Sequence, residues 1–380
     1  MDFKTDPMDY FNSNRETIIS DFKSVVETES PSSDTGALLK MAEVLGNLIQ
    51  DRIGLMTESI ELESTGPALV VNRKPGGVLL VCHYDTVHPS GTLKKYPFSV
   101  SGNEIRGPGI YDMKGGIVMS IWSLKFLMEN MSPSPGVTLL ITPDEETGSL
   151  KSQDAIRDLA KSSKVSVIME PKLSGNIKKA RKGVADFTIH VDGVSAHAGV
   201  EPEKGANAIV ELSRLVLKAV GLQNISKGTT INVGKIAGGT ATNVVPDSAD
   251  AFLDIRVWTM DEYERVEREL MELRTEDHRT SVKVTGGLNR PPMQPSVLTD
   301  RIVSGLLSIA SSIGINMEAV SVGGGSDGNL IAPLGIPVID GMGLSGGNAH
   351  TRKEFADISR LPQEFSFLCR SIRFILESDL

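Results

Sequence analysis

The sequence predicts an α/β protein in which a mainly parallel-stranded domain, with helices on both faces, is interrupted by an inserted ferredoxin-like α+β domain. The first observation is that short apolar runs alternate with helical segments over residues 1–178 and again over 291–380. Such runs are typical of parallel strands buried on both faces. The second is a change of pattern over residues 179–290, where apolar and polar residues alternate within the strands. Alternation of this kind indicates strands with one solvated face.

Periodicity and chain breaks define the segments of the larger domain. Helices are predicted over residues 7–28, 36–52, 115–130, 150–161, 300–313 and 361–376, and strands over 68–72, 78–82, 137–142, 165–169, 319–322 and 337–339. The stretch Lys74-Pro75-Gly76-Gly77 separates the first two strands, and it predicts a hairpin-like turn between them.

The inserted domain has its own order of segments. Its strands are predicted over residues 184–191, 230–236, 249–257 and 281–285, and its helices over 206–220 and 260–274. The resulting order of strand, helix, strand, strand, helix and strand is that of the ferredoxin-like fold. Gly286-Gly287 and Pro291-Pro292 end the insertion.

The composition is that of an ordinary globular protein. Of the 380 residues, 40% are hydrophobic and 23% are charged, and the formal net charge is −9. Binding to nucleic acid needs a concentrated basic face, which this balance disfavours. No nucleic-acid partner is therefore expected.

The cysteines and the chain start predict a cytoplasmic protein with no membrane association. Only Cys82 and Cys369 occur, which is no disulfide framework and favours a reducing compartment. The stretch Met1–Asp6 lacks the basic-then-apolar pattern of a signal peptide. No apolar stretch approaches the roughly 20 residues that span a bilayer.

Metal-binding side chains follow four of the predicted strands. His83 and Asp85 follow the strand 78–82, and Asp144, Glu145 and Glu146 follow the strand 137–142. Glu170 follows the strand 165–169, and His350 follows the strand 337–339 after a glycine-rich loop. Ligands of open α/β sheets bind beyond the carboxyl ends of the strands. Each residue alone has an ordinary explanation, as a hydrogen-bonded polar group, a helix cap or a solvated acid. The prediction of a metal site therefore rests on their occurrence after four separate strands.

The residues around these positions resemble a known family. The segments that carry the resemblance are His83–Val87, Gly107–Gly116, Asp144–Ser149, Met169–Pro171, Ser195–Gly199, Gly324–Asp327 and Ala349–His350. They are similar, in order and over nearly the whole chain, to the dizinc aminoacylase and glutamate carboxypeptidase family, which includes carboxypeptidase G, acetylornithine deacetylase and succinyl-diaminopimelate desuccinylase. The insertion resembles the lid and dimerisation domain of that family, and the larger domain resembles its catalytic domain.

The resemblance implies a dinuclear centre with two Zn²⁺ per chain, with Co²⁺ or Mn²⁺ as alternatives. His83 and Glu170 would bind one ion, Glu146 and His350 the other, and Asp112 both. Histidine nitrogen and carboxylate oxygen are normal zinc ligands. Glu145 would be the general base that acts on a metal-bridging water, and Asp85 would orient the ring of His83. A cis peptide bond between Asp112 and Met113 is also implied.

The resemblance assigns further roles to the inserted domain, which would also form a homodimer. His197 would stabilise the oxyanion in the site of a neighbouring subunit. Asn243, Arg256 and Arg290 would bind the substrate, because an arginine fork matches a carboxylate. Arg256 has an equally good explanation as one half of a surface ion pair on its strand.

The implied function is metal-dependent hydrolysis of a peptide or amide bond next to a free carboxylate. A glutamate carboxypeptidase-like exopeptidase acting on small peptides is the first interpretation, because Gly343–His350 and the segment Arg290-Pro291-Pro292 resemble that branch most closely. The alternative is an N-acyl-amino-acid deacylase, such as a deacetylase or desuccinylase. A non-catalytic metal-binding scaffold is disfavoured, because a scaffold has no use for the base Glu145.

Overall fold

A computed structural model describes residues 3–131 and 135–379. The chain divides into two compact units. Unit 1 consists of Met1–Ala180, Pro295–Val322 and Ser326–Leu380, and unit 2 consists of Arg181–Gln294 and Gly323–Gly325. Within the described ranges, no helix combines the length and apolar character that crossing a bilayer requires.

The described helices and strands are numbered in chain order. The helices are α1 (Pro7–Ser13), α2 (Arg15–Val26), α3 (Thr35–Ile53), α4 (Gly115–Asn130), α5 (Gln153–Lys161), α6 (Ala208–Val220), α7 (Met260–Met271), α8 (Val297–Ser312), α9 (Gly328–Ile331) and α10 (Leu361–Glu377). The strands are β1 (Glu58–Ile60), β2 (Ala68–Val71), β3 (Val78–His83), β4 (Ser99–Ser101), β5 (Glu104–Arg106), β6 (Val137–Thr142), β7 (Val165–Ile168), β8 (Ile177–Arg181), β9 (Gly183–Asp192), β10 (Ala196–His197), β11 (Thr230–Gly238), β12 (Val244–Val245), β13 (Ser248–Val257), β14 (Ser281–Arg290), β15 (Ala319–Val322), β16 (Val338–Ile339), β17 (Gly346–Gly347) and β18 (Phe355–Asp357).

The main sheet of unit 1 confirms the predicted mainly parallel α/β class. Its order is β1-β2-β6-β3-β7-β16, and the pairs from β6 to β16 are parallel. Every residue of β3 and of β6 is buried, as expected for strands covered on both faces. The carboxyl ends of β3, β6 and β7 therefore meet at one edge of the sheet.

The predicted hairpin between β2 and β3 is wrong. The strand β2 pairs antiparallel with β6, while β3 pairs with β6 on its other side and with β7. Both edges of β3 are thus occupied by parallel partners, so the turn at 74–77 carries the chain across β6. The predicted helix over 7–28 is also divided, because Asn14 separates α1 from α2 with a non-helical backbone.

The helix α4 is packed tightly against the strand end of β7. Its first two turns are entirely buried, from Gly115 to Trp122. A Cβ atom on Gly116 would lie 2.5 Å from the carbonyl oxygen of Met169, so only glycine permits this approach. The close contact places the segment before α4, which contains Asp112, beside Glu170.

A small four-stranded sheet in unit 1 was not predicted. Its order is β17-β18-β5-β4, and Phe355 pairs with Arg106. Strands of two or three residues are too short to produce a periodic pattern. This sheet brings the segment 346–357 alongside the segment that leads to Asp112.

Unit 2 has the predicted ferredoxin-like arrangement. The strands β11-β13-β9-β14 form an antiparallel sheet in that order, and the helices α6 and α7 occupy the connections. Alternate residues of β9, such as Phe187 and Ile189, are buried with Leu212 and Val266 of the helices. The strand β11 is an edge of this sheet.

Glu262, in the first turn of α7, is expected to stabilise unit 2 strongly. It is 3% exposed and accepts hydrogen bonds from Lys227 Nζ at 2.8 Å, Thr229 Oγ1 at 2.8 Å and Arg265 Nη2 at 2.9 Å. We expect Glu262→Gln to lower the free energy of unfolding by about 2–3 kcal/mol at pH 7, because bonds to an ionised acceptor are the strong ones. Urea denaturation measures this, with Glu264→Gln on the exposed face as the control.

The effect of Glu262 also has a definite pH dependence. The hydrogen bonds from Arg265 and Lys227 lower the pKa of Glu262 to about 2, below the roughly 4.3 of an unfolded glutamate. Its stabilisation is therefore complete above about pH 4.3 and is lost as the pH falls towards 2. An equal difference between wild type and Glu262→Gln at pH 7 and pH 3 would contradict this account.

Candidate metal centre

The edge of the main sheet in unit 1 carries the candidate metal ligands. His83 is the last residue of β3, Glu146 lies in the turn after β6, and Glu170 lies two residues beyond β7. Asp112 precedes α4, and His350 follows β17. The structure brings all five residues together, so residues as far apart in the chain as His83 and His350 share one site.

Asp112 lies between two histidines. Its Oδ1 atom is 3.3 Å from His83 Nε2, and its Oδ2 atom is 3.2 Å from His350 Nε2. Each oxygen of this carboxylate therefore belongs to a different group of potential ligands. The peptide bond between Asp112 and Met113 is cis, as the resemblance implied.

One carboxylate completes each group. Glu170 Oε1 is 3.6 Å from His83 Nε2, and Glu146 Oε1 is 3.3 Å from His350 Nε2. The first group comprises His83, Asp112 and Glu170, and the second comprises Asp112, Glu146 and His350, with the potential ligand atoms of each within 4.8 Å of one another. Two histidine nitrogens and three carboxylates are a donor set that suits two divalent ions.

The electrostatics of the site favour added positive charge. Hydrogen bonds to Asp112 and Glu146 raise the pKa of His350 to about 10. Burial raises the pKa of Asp112, but the hydrogen bonds from His350 and His83 outweigh burial and hold that pKa below its usual range. These residues therefore fit the two cations that the donor set suggests.

Asp85 connects the two halves of the site. It is fully buried, and its Oδ1 atom is 3.3 Å from His83 Nδ1, as expected for a group that orients that ring. It also accepts hydrogen bonds from the backbone amides of Glu145 at 3.0 Å and Glu146 at 3.1 Å, and from Ser32 Oγ at 2.7 Å. The two hydrogen bonds from backbone amides, which the sequence did not predict, fix the turn that carries Glu145 and Glu146. Glu145 itself is half-buried beside Glu146 in this turn.

Glu354 is a buried residue of the site that the sequence analysis missed. Its Oε1 atom accepts from the amides of Tyr111 at 2.9 Å and Asp112 at 3.0 Å, and its Oε2 atom accepts from Gly109 N at 3.1 Å and His88 Nε2 at 2.7 Å. One carboxylate therefore holds the whole segment that presents Asp112. The only signal in the sequence is an acidic residue four positions after His350, which is weak.

The other predicted site residues belong to unit 2. His197 is exposed and pairs with Val244 between β10 and β12, and the carbonyl of Asn243 accepts from Ala198 N at 3.0 Å. The structure thus brings His197 and Asn243 next to each other. Gly199 N donates to His197 Nδ1 at 3.1 Å, which leaves Nε2 as the outer ring nitrogen.

The two arginines differ in their surroundings. Arg256 lies on β13 and forms a two-pronged ion pair with Asp254, with Nε to Oδ1 at 2.8 Å and Nη2 to Oδ2 at 2.7 Å. The ion pair considered for this residue in the sequence analysis is therefore present. Arg290, at the end of β14, is 4% exposed.

Comparison with known proteins agrees with the fold and the donor set. The family model described as "Peptidase dimerisation domain" matches residues 179–281, and the model described as "Peptidase family M28" matches residues 68–199. Carboxypeptidase G2 from Pseudomonas sp. (strain RS-16) is 33% identical over 313 residues, which cover 80% of this chain and 75% of that protein. Succinyl-diaminopimelate desuccinylase from Dechloromonas aromatica is 27% identical over 303 residues, which cover 74% and 78%.

Solved structures share the fold over almost the whole chain. Aminopeptidase PepT from Bacillus cereus superposes with a TM-score of 0.80 at 23% identity, covering 95% of this chain and 99% of that one. The M20 family metallo-carboxypeptidase Sso-CP2 from Sulfolobus solfataricus superposes with a TM-score of 0.73 at 18% identity, with the same coverage.

Fold, donor set and relatives together define an enzyme that hydrolyses peptide or amide bonds with the help of metal ions. The chain belongs to the M20 family of metallopeptidases.

Proposed function

We propose that this protein is a carboxypeptidase that releases an amino acid with a free α-carboxylate from small peptides. The observation that carries the proposal is the pair of ligand groups that share Asp112, with Glu145 in the adjacent turn. The 33% identity to carboxypeptidase G2 supports this branch of the family over others. Glutamate is the first amino acid to test, because the segments around His350 and Arg290 resemble the glutamate carboxypeptidases.

Two zinc ions are the proposed cofactors. His83, Asp112 and Glu170 would hold one ion, and Asp112, Glu146 and His350 the other. When bound, such ions polarise the substrate carbonyl and lower the pKa of water, so that a nucleophile is available at neutral pH. Co²⁺ and Mn²⁺ accept the same nitrogen and oxygen ligands and are the alternatives.

Glu145 is proposed to move the proton during hydrolysis. Its carboxylate would accept a proton from the attacking water and deliver it to the nitrogen of the departing amino acid. Support comes from the two amide hydrogen bonds to Asp85, which fix Glu145 and Glu146 in one rigid turn. Glu146 Oε1 lies 3.3 Å from His350 Nε2 and is suited to bind metal, and Glu145 is the adjacent residue that would act on water.

Unit 2 is proposed to supply substrate contacts. Its exposed His197 would donate a hydrogen bond from Nε2 to the oxyanion, which suits a ring whose Nδ1 already accepts from Gly199. Asn243 lies beside it and would bind the substrate as well. Arg290 and Arg256 are the proposed carboxylate binders, although Arg256 would have to exchange Asp254 for the substrate.

A second candidate function is deacylation of an N-acyl amino acid, and one observation favours it. Succinyl-diaminopimelate desuccinylase matches over 74% of this chain, with coverage of both units. The chemistry at the metal centre would be the same, because both reactions cleave an amide. The two functions differ in whether the acyl side of the bond is a peptide or a simple acid.

Metal analysis combined with a substrate panel tests the proposal. We expect two zinc ions per chain by elemental analysis, and cleavage of N-acyl and peptidyl glutamates that falls at least about 100-fold on chelation, because no protein group replaces the ions. Faster cleavage of dipeptides than of N-acetyl and N-succinyl amino acids would support the carboxypeptidase, and the reverse order would support the deacylase. A protein that binds no zinc after zinc loading would contradict the proposed ligand set.

A homodimer through unit 2 is also proposed. The exposed side of α6 carries Ile209, Val210 and Leu217, the last 74% exposed. The neighbouring edge strand β11 carries Ile236, which is 56% exposed. An open strand edge flanked by apolar side chains is suited to pairing with a second copy.

Leu217→Lys is expected to weaken this dimer at least about 100-fold, because each copy would bury a charge at the contact. Sedimentation velocity measures the change, with Leu39→Lys on α3, which is 50% exposed in unit 1, as the matched control. If His197 acts in the partner's site, the monomeric variant keeps its metals and loses turnover. A Leu217→Lys protein that remains dimeric would contradict the proposed contact, and a fully active monomer would contradict the role of His197.

The proposed location is the cytoplasm. Cys82 and Cys369 are both buried and free, which suits a compartment that keeps thiols reduced.

A further inference from the structure

A basic cleft opens beside His350 within unit 1. It has a volume of about 460 Å³, and Lys95, Tyr96 and Arg352 line it together with His350. A second cavity of about 160 Å³ shares Lys95, Tyr96 and Arg352 and adds Arg106 and Glu354. The carboxylate of Glu354 already accepts four hydrogen bonds. The two cavities together are large enough for a side chain or a short acyl group next to the candidate metal ligand.

The two cations of the basic cleft have no acidic partner. Neither Lys95 nor Arg352 forms an ion pair with any residue that the structure describes, and both are exposed. The guanidinium of Arg352 lies 5.4 Å from the centre of the Tyr96 ring, a contact that orients it without neutralising its charge. Arg106, by contrast, is paired with Glu104. In a protein of net charge −9, two unpaired cations facing one cleft indicate an anionic ligand.

The wall that carries Lys95 is held in place by Glu29. This carboxylate accepts hydrogen bonds from the amides of Gly91 and Leu93, both at 2.8 Å. The amides of Lys95 and Tyr96 in turn donate to the carbonyl of Thr92, both at 2.9 Å. Lys95 and Tyr96 are therefore presented by a fixed turn, which favours a preformed binding site over a flexible surface loop.

We propose that the basic cleft binds a second carboxylate of the substrate, carried a few atoms from the bond that is cleaved. Lys95 and Arg352 are the specificity-determining residues, with the arginine fork gripping the carboxylate and the ammonium adding charge. The inference rests on the proposed hydrolysis and narrows it to substrates that carry an anionic group on the acyl side of the cleaved bond, besides the carboxylates of the released amino acid. That group would be an acidic residue of a peptide or the free end of a dicarboxylic acyl group.

Binding of dicarboxylates by the zinc-loaded protein tests the cleft without relying on turnover. Calorimetry would compare succinate and glutarate with their monoamides, which keep the shape and lose one charge. We expect at least one dicarboxylate to bind ten-fold or more tightly than its monoamide, and the ratio to fall below three in the Lys95→Met/Arg352→Gln double variant. Lys94→Met, a neighbouring exposed lysine that lines neither cavity, should keep the wild-type ratio. A ratio near one in the wild type, or an unchanged ratio in the double variant, overturns the proposal.

Two matched pairs of amides then identify the source of the carboxylate. N-succinyl-glutamate against N-succinamoyl-glutamate tests the dicarboxylic acyl group, and N-acetyl-aspartyl-glutamate against N-acetyl-asparaginyl-glutamate tests the acidic residue. In each pair, kcat/KM of the charged amide is divided by that of its uncharged partner. The pair with the larger ratio identifies the source of the carboxylate, provided that the double variant loses this preference. A protein that keeps the binding ratio and cleaves no amide would refute the hydrolysis and leave the cleft standing, whereas turnover with a binding ratio near one would refute the cleft alone.

Discussion

Glu145→Gln is expected to lower kcat by about 10²–10⁴-fold, because a glutamine cannot accept the proton that a general base removes. The backbone of this position is held by Asp85, which accepts from the amides of Glu145 and Glu146, and the substitution keeps both of these hydrogen bonds. The variant should therefore fold normally and bind two metal ions. Steady-state kinetics with elemental analysis of the same sample measures both properties.

The adjacent glutamate supplies the matched control. Glu146→Gln alters a side chain in the same turn, but Glu146 Oε1 lies 3.3 Å from His350 Nε2 in the second ligand group. It should lose metal as well as rate, and excess zinc should restore part of the rate. Glu145→Gln should show no such recovery. Turnover of Glu145→Gln close to that of the wild type would remove Glu145 from the role of base.

The sequence predicts those parts of the fold that hydropathy controls. Fully buried strands such as β3 and β6 appear as unbroken apolar runs, and their carboxyl ends meet at one edge because the strands are parallel. The juxtaposition of His83, Glu146 and Glu170 follows from that arrangement. Asp112 follows no long apolar run, and only the motif resemblance pointed to it.

Pairing partners were less predictable than strands. The turn at 74–77 has hairpin residues, but hairpin chemistry does not reveal whether a third strand is inserted between the two arms. The ion pair between Arg256 and Asp254 was easier to predict from sequence than the strand pairing, because residues two apart on a strand point to the same face. The sequence pattern within one strand therefore indicated which side chains are neighbours. The order of the strands in the sheet depended on contacts between residues far apart in the chain.

Glu354 illustrates a remote contact that no local pattern contains. It is separated from Asp112 by 242 positions, and the three-residue strand β18 that brings it close has no recognisable periodicity. Yet it is 3% exposed and accepts four hydrogen bonds, three of them from the backbone that leads to Asp112. A buried carboxylate with this many donors fixes the segment more firmly than neutral acceptors would.

Glu354→Gln is expected to lower metal affinity by about 10–100-fold, the usual cost of removing a group that orients a ligand. The amide nitrogen of glutamine at the place of Oε2 would face the backbone donor Gly109 N, while the neutral ring of His88 can turn Nε2 into an acceptor. That mismatch costs about 1–3 kcal/mol. The backbone segment that leads to Asp112 can move away to relieve it, but Asp112 is then displaced from its position in the site. Competition with a zinc chelator measures the affinity, and circular dichroism verifies the fold.

If Glu354 only positions a metal ligand, added zinc should restore the activity of the Glu354→Gln variant. If Glu354 acts through Asp112, raising the free zinc concentration should restore most of kcat in Glu354→Gln while KM changes little. Glu104→Gln, on the adjoining strand β5 and paired with Arg106 at the surface, is the matched control and should bind zinc as the wild type does. Unchanged zinc affinity in Glu354→Gln would mean that the segment around Asp112 keeps its geometry without the buried carboxylate, and the site would then have to be held by α4 and its close packing on Met169 alone.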